Sequence, residues 1–258
     1  MARLRGVAPP FHSGIVNEWL PLRGVSVGKS APFRDKPGEA GYSRLMRPSP
    51  GLPTYPGLII EHAERVWDGR FPLDRVRFRN RRFDGAVSGP RVWELWRRGT
   101  AAAVLPYDPI ADAVLLIEQF RLPVLAAGLD PILVELPAGL CDPGEAAETT
   151  ARRETTEETG LTPDRLTPIA RVMLSPGGTD ESCAVFAGRV RLPEAGPDGV
   201  LGVSGLPAEG EDIRLRRWPA EAAIARALAG GFPNALTMLA LLWLGARRES
   251  LRAEWSAA

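Results

Sequence analysis

The chain has 258 residues, 45% of them hydrophobic and 24% charged, with a formal net charge of +1. This fits one main globular domain with an appendage and is too short for several large ones. No run of eighteen apolar residues occurs, even in ALTMLALLWLGA, which argues against a membrane span. His12 and His62 are the only histidines and Cys141 and Cys183 the only cysteines, too few and too scattered for a zinc site or a Ser-His-Asp triad. The cysteines form one bridge or stay reduced. With no secretory leader ahead of them, a reducing cytoplasm is the expected location. Chemistry here must run on carboxylates.

Residues 1–57 hold eight Arg and Lys against three Asp and Glu, with nine Pro and eight Gly. They read as a disordered leader, because such a composition cannot repay its ordering entropy. GVSVGKS, Gly24 to Ser30, has one residue too few between its glycines for a phosphate loop, and no strand precedes it. Met46 is an alternative translation start. With +5 in the leader, the body carries about −4, which disfavours a nucleic-acid backbone as partner. A small anionic substrate held through a metal is compatible with it.

From Leu58 the pattern becomes strand-like. LIIEHAERVW, LDRVRFRNRRF and RVWELWRRG, separated by turn residues that include Asp84 and Gly85, read as an antiparallel meander over residues 58–97. AAAVLPY and AVLLIEQFRL follow as two strands joined by DPIAD, the second buried on both faces. Residues 145–159 read as a helix, with DPGE at its entry and Gly160 just past its end. Strands are expected near IARVML and CAVFAGRV, either side of the loop SPGGTDE, and again at IRLRRW. A Gly-rich connection lies between the last two, and two helices close the chain from Trp218 and Asn234.

The informative stretch is Gly139 to Leu161, GLCDPGEAAETTARRETTEETGL. Gly139, Glu145, Arg153, Glu154, Glu157, Glu158 and Gly160 stand in the spacing G-x5-E-x7-R-E-x-x-E-E-x-G. Seven fixed residues, each used at roughly one in twenty, recur by chance about once in 10^9 windows. At about 100° per residue the three glutamates share one helix face. Like charges so placed destabilise a helix unless a cation neutralises them, and magnesium suits an all-oxygen site that also holds phosphates. Arg153 beside them is suited to orienting a glutamate.

This spacing is the Nudix box, and the chain resembles the bacterial ADP-ribose pyrophosphatase branch of that family over roughly residues 60–257. RGTAAAVLPYDP, EQFRL, VELPAGL, SPGGTDE and AEGEDIR carry the likeness, with Pro176 fifteen residues past Leu161. The resemblance implies an α/β Nudix α/β/α sandwich with a mixed sheet spanning residues 98–258, preceded by the meander, which a dimer exchanges. It implies hydrolysis of ADP-ribose to AMP and ribose 5-phosphate. GDP-mannose or another nucleoside diphosphate sugar is the alternative substrate, and a nucleotide-sensing, non-catalytic module the alternative role.

By the same resemblance the Ala138 carbonyl, Glu154, Glu158 and Glu211 are ligands for two or three Mg2+ ions, with Mn2+ a substitute. Glu209 is the general base, with Glu181 a rival for that role, and Arg153 and Glu157 complete the catalytic set. Arg98, Arg121, Leu140, Ser175 and Glu181 fall on substrate-contacting positions, while Phe71 and Glu94 reach across the dimer. Taken as residues alone, Arg121 is either a phosphate clamp or a surface cation, and Phe71 either stacks on a base or packs in a core. Trp93 and Arg70 depart from the family pattern, which has an arginine and an aromatic there. Thr155 replaces an aliphatic residue and is expected to pack by its methyl while its hydroxyl bonds back along the helix. No nucleic-acid or membrane partner is expected.

Overall fold

A computed structural model of the chain describes residues 47–48, 52–206 and 210–256. Two sheets organise it. The first is antiparallel, in the order β1 (Arg47–Pro48), β2 (Leu58–Trp67), β3 (Leu73–Asn80) and β4 (Arg91–Trp96). The meander thus forms where the alternating pattern places it, with a fourth short strand from the leader; the rest of residues 1–51 lies outside the described residues.

The second sheet has eight strands. Its path runs β11 (Val200–Ser204), β12 (Ile213–Pro219), β6 (Ala113–Phe120), β5 (Thr100–Asp108), β10 (Ser182–Arg189) and β9 (Arg165–Met173). Two short strands, β7 (Ile132–Glu135) and β8 (Ala138–Leu140), pair with β6 and β5 respectively. Only the β5 and β10 pairing is parallel among those assigned in this sheet, so the sheet is mixed.

The residues of β5 explain the layers. Side chains alternate across a strand, so Ala101, Ala103, Leu105 and Tyr107 face one way. They pack with Ala223, Leu241, Leu244 and Trp255 of α3 (Ala220–Leu228) and α4 (Ala235–Ser256). Ala102 and Val104 face the other way, onto Ala151 of α2 (Ala147–Thr159). A strand apolar on both faces needs helices on both, and the sandwich follows. The alanines let α2 approach closely. Asp112, at φ 50° in the turn after β5, fastens α4 to the sheet by accepting from Tyr107 Oη at 2.8 Å and Arg248 Nε at 2.9 Å.

Some boundaries differ from the sequence reading. The box helix starts at Ala147 rather than at residue 145, because Glu145 turns its carboxylate back to the Asp142 amide and the Thr150 hydroxyl. Its end is as expected, with Gly160 left-handed at φ 71° and its N–H on the Thr156 carbonyl. The Gly-rich connection contains β11, and a short helix, α1 (Leu122–Ala126), follows β6. Both cysteines are free; burial pushes the Cys183 thiol up to about 12, and β5 lies between it and Cys141. No helix among the described residues is long and apolar enough to cross a membrane.

Candidate active site

The box residues assemble around Arg153. Its guanidinium bonds both oxygens of Glu145 at 3.2 and 3.1 Å, Glu154 Oε1 at 2.8 Å, Glu157 Oε2 at 3.0 Å and the Leu140 carbonyl at 3.3 Å. One arginine thereby binds three acids and ties α2 to the strand end at Leu140. Arg153, then Thr150, hold the Glu145 carboxyl down to about 2. Thr155, fully buried, gives its hydroxyl to the Ala151 carbonyl at 2.6 Å, as expected for a hydroxyl replacing an aliphatic group.

Glu158 sits one turn on from Glu154 and is only 3% exposed. Its Oε2 accepts from the Ala138 N–H at 3.0 Å. Burial is the main cause that pushes this carboxyl up to about 8; the bond from Ala138 works against it, while Glu211 and Glu154 reinforce it. Burial likewise raises Glu154, against the pull of Arg153. Gly139 makes room for this pair, because a Cβ there would fall on the Glu154 carboxyl group. Glu211 comes from the segment just before β12. Its Oε2 accepts from the Leu206 N–H at 2.9 Å, closing the neck of the 206–211 loop. Glu209, within that loop, lies outside the described residues.

Ala138, Glu154, Glu158 and Glu211 thus converge on one region, and the like charges among them raise Glu154 and Glu158. Among the described residues no three acids form a metal-holding cluster, and protein donors engage each carboxylate: Arg153 on Glu154, Ala138 on Glu158, Leu206 on Glu211. Carboxylate and carbonyl oxygens that are buried and mutually repelling suit a hard divalent cation.

A second group forms where the meander meets the loop 175–181. The Arg98 guanidinium grips Glu181 through two bonds of 3.1 Å and lies over the rings of Phe71, at 4.1 Å, and Trp96, at 4.9 Å. Phe71 therefore packs against Arg98 and edge-on to Trp96 rather than entering a core. Asp180 accepts from the backbone N–H of Arg98 at 2.6 Å and of Gly99 at 3.1 Å and pairs with Arg97. Together with the Trp96 and Thr179 bridge, it joins the two sheets. Ser175 is exposed and its carbonyl takes the Gly178 and Thr179 amides. Glu94 lines an apolar cleft of about 180 Å³ with Ile60, Phe78, Trp93, Pro176 and Gly177. Trp93 stands edge-on to Phe78, so the position that departs from the family pattern builds a wall of this cleft. Arg70, the other departure, lies 5.4 Å from the Phe71 ring centroid.

Arg121 begins α1 and donates its Nε to Glu135 at 2.7 Å. Its positive charge favours the ionised form of Glu158, which puts it beside the box carboxylates. Glu135 and Asp180 are site residues that the sequence reading passed over. A signal for Glu135 existed: a carboxylate inside the apolar run ILVELP is rarely buried unless paired.

Comparison with known proteins accords with this geometry. The NUDIX domain model matches residues 97–236. Over 193 residues the chain is 39% identical to the ADP-ribose pyrophosphatase of Escherichia coli (strain K12), covering 75% of this chain and 90% of that protein. It is 35% identical to the Haemophilus influenzae ADP-ribose pyrophosphatase, covering 74% and 88%. It is 34% identical to a GDP-mannose pyrophosphatase of Yersinia enterocolitica, covering 61% and 80%. A solved ADP compounds hydrolase shares the fold at TM-score 0.56 and 24% identity, with 80% of this chain and 98% of that one aligned.

Proposed function

This chain belongs to the Nudix family, and on that premise we propose that it hydrolyses ADP-ribose to AMP and ribose 5-phosphate with magnesium. The observation that carries the reading is the pair of half-buried Glu154 and buried Glu158, held against Ala138 to Leu140 with their like charges repelling. An arrangement so costly when empty of cations is suited to one that works with them. Relatives at 35–39% identity, named ADP-ribose pyrophosphatase, support the substrate.

Ala138 through its carbonyl, Glu154, Glu158 and Glu211 are the proposed ligands for two or three Mg2+ ions, with Mn2+ as a substitute. Bound there, such ions supply Lewis acidity and offset the diphosphate charge. The chain's own groups do the rest. Arg153 keeps Glu154 and Glu157 in place through its bonds to both. Arg121 presents guanidinium hydrogens to the diphosphate, a contact suited to its planar fork. Arg98 and Glu181, paired to each other in the free protein, open toward the substrate with Ser175 and the Leu140 backbone. Phe71 offers a ring for stacking, and Glu94 a carboxylate, from the partner subunit of a homodimer.

Glu209 is the proposed general base. In the sequence it lies between Leu206 and Glu211, which bond to each other through two hydrogen bonds, next to the proposed ligand Glu211. Glu181 is the poorer candidate, since both its oxygens are already engaged by Arg98. The enzyme acts in the cytoplasm as a small-molecule hydrolase, without nucleic-acid or membrane partners.

Relatives named GDP-mannose pyrophosphatase support a second reading at 32–34% identity. A panel of ADP-ribose, GDP-mannose, NADH and diadenosine polyphosphates, each with magnesium and a coupled phosphatase, tests both. The highest kcat/KM is expected with ADP-ribose. A higher value with GDP-mannose moves the assignment to that sugar, and no release from any compound points to the non-catalytic module.

A further inference from the structure

We infer that Glu135 is the positioning residue that aims Arg121 at the diphosphate, a role that rests on the diphosphatase reading above. Glu135 ends β7 and is 8% exposed. A carboxylate at that depth stays charged only if its oxygens are satisfied, and here the two oxygens have different partners. Oε1 accepts from Asn234 Nδ2 at 2.9 Å, and Oε2 accepts from Arg121 Nε at 2.7 Å.

The Asn234 side is a fixed anchor. Asn234 Oδ1 takes the backbone N–H of Thr237 at 3.0 Å, and its carbonyl takes the Met238 N–H at 3.1 Å, which caps the first turn of α4. Thr237, fully buried, also directs its hydroxyl to the Val134 carbonyl at 3.3 Å. Both ends of the Asn234 amide are thereby held, and with them Glu135 Oε1.

The Arg121 side is half open. The arginine side chain keeps 41% of its exposure, compared with 11% for its partner carboxylate. With Nε committed to Glu135, the edge left for an incoming anion is the pair of terminal Nη groups. That edge matches two phosphate oxygens end-on, a bidentate contact that needs the guanidinium plane fixed in advance. Glu135 supplies that fixing, and the charge of Arg121 already reaches Glu158. Without Glu135, Arg121 would hang on a flexible stem with the charge of Glu158 to draw it from the diphosphate.

A plainer role for Glu135, tying α4 to β7, would involve Asn234 and leave Arg121 out. A double-mutant cycle separates the two. Steady-state constants for ADP-ribose and half-saturating magnesium are measured in the wild type, Glu135→Gln, Arg121→Ala and the double mutant, with melting curves for all four. The positioning role predicts that each single change lowers kcat/KM roughly 10-fold or more, mostly through KM, with half-saturating magnesium unchanged. In the Arg121→Ala background, Glu135→Gln then costs less than about 2-fold, because coupled residues are non-additive. Penalties that multiply in the double mutant overturn it, as does a Glu135→Gln that melts early but keeps wild-type KM. If Glu135→Gln does not fold, Glu135→Asp decides: it keeps the charge but draws the carboxylate back from Arg121 Nε, so a KM near wild type overturns the role, while a raised KM that disappears as a separate penalty in the Arg121→Ala background upholds it. A wild type that releases no nucleoside monophosphate from any nucleoside diphosphate compound refutes the diphosphatase reading instead, before any mutant is compared.

Discussion

Glu158→Gln should lose turnover yet gain stability without metal, and the size of that gain should follow pH. Glu158 is 3% exposed, and its carboxyl is raised from an ordinary value of 4.5 to about 8 in the folded chain. Between those values the unfolded chain has released the proton and the folded chain still holds it. Stability therefore falls as pH rises across the window, by about 1.4 kcal/mol per pH unit at most. Below pH 4.5 both states are protonated and the effect vanishes; above 8 it is complete. Glutamine keeps an oxygen for the Ala138 N–H and carries no charge, so the variant escapes the penalty. Allowing for relaxation around the cluster, the gain at pH 8.5 is roughly 2–4 kcal/mol, or about 5–10 °C in Tm for a chain this long. Melting both proteins in chelator from pH 4 to 9 isolates the effect, since every other titrating group is common to the two. Turnover in saturating magnesium is the second readout, expected to fall by at least about 100-fold. A Tm difference that stays flat across that range, or near-normal turnover, would refute the reasoning.

Gly139→Ala should spare the fold and damage the chemistry, because the added Cβ displaces the flexible end of Glu154 rather than backbone. A Tm within a few degrees of wild type and a loss of about 10^2-fold in kcat are expected, and unchanged kcat would remove Glu154 from the site. Glu209→Gln should lose about 10^2- to 10^4-fold in kcat with magnesium dependence unchanged, whereas Glu211→Gln should raise the magnesium needed; if the large kcat loss instead appears in Glu181→Gln, the base is Glu181. The meander leaves Trp67, Trp93 and Trp96 exposed at 62, 53 and 43%, an apolar surface that a second copy would cover. Light scattering should report a dimer that survives deletion of residues 1–45, and a monomer of the full chain at micromolar concentration would count against it.

The sequence made some features legible because one physical signal dominated them. The alternating runs gave β2 whole and the starts of β3 and β4, which end three residues before their runs do, and Gly160 marked the end of α2 because a left-handed cap favours glycine. Thr155 behaved as its two faces require, methyl in the core and hydroxyl on the Ala151 carbonyl. Other features rest on tertiary pairing that no local pattern encodes. β7 and β8 are four and three residues long and exist because β6 and β5 offer edges to them. β11 hides in a Gly-rich stretch and is ordered by β12. Glu145 stays outside the helix, its carboxylate held by the Asp142 amide, the Thr150 hydroxyl and Arg153, eight residues on. The roles of Glu135 and Asp180 depend on Arg121, Asn234 and Arg98, at separations of 14, 99 and 82 residues. Spacing within the box displayed the carboxylates, but the partners that aim them come from elsewhere in the chain.

The central claim is that these carboxylates split a diphosphate bridge, and product identity tests it most directly. ADP-ribose is incubated with the enzyme and magnesium, the mixture is resolved by anion-exchange chromatography, and Glu154→Gln serves as the control. AMP and ribose 5-phosphate should appear in equal amounts with the wild type and be nearly absent with the variant. Intact ADP-ribose in the wild-type reaction, or equal product from both proteins, would contradict the account.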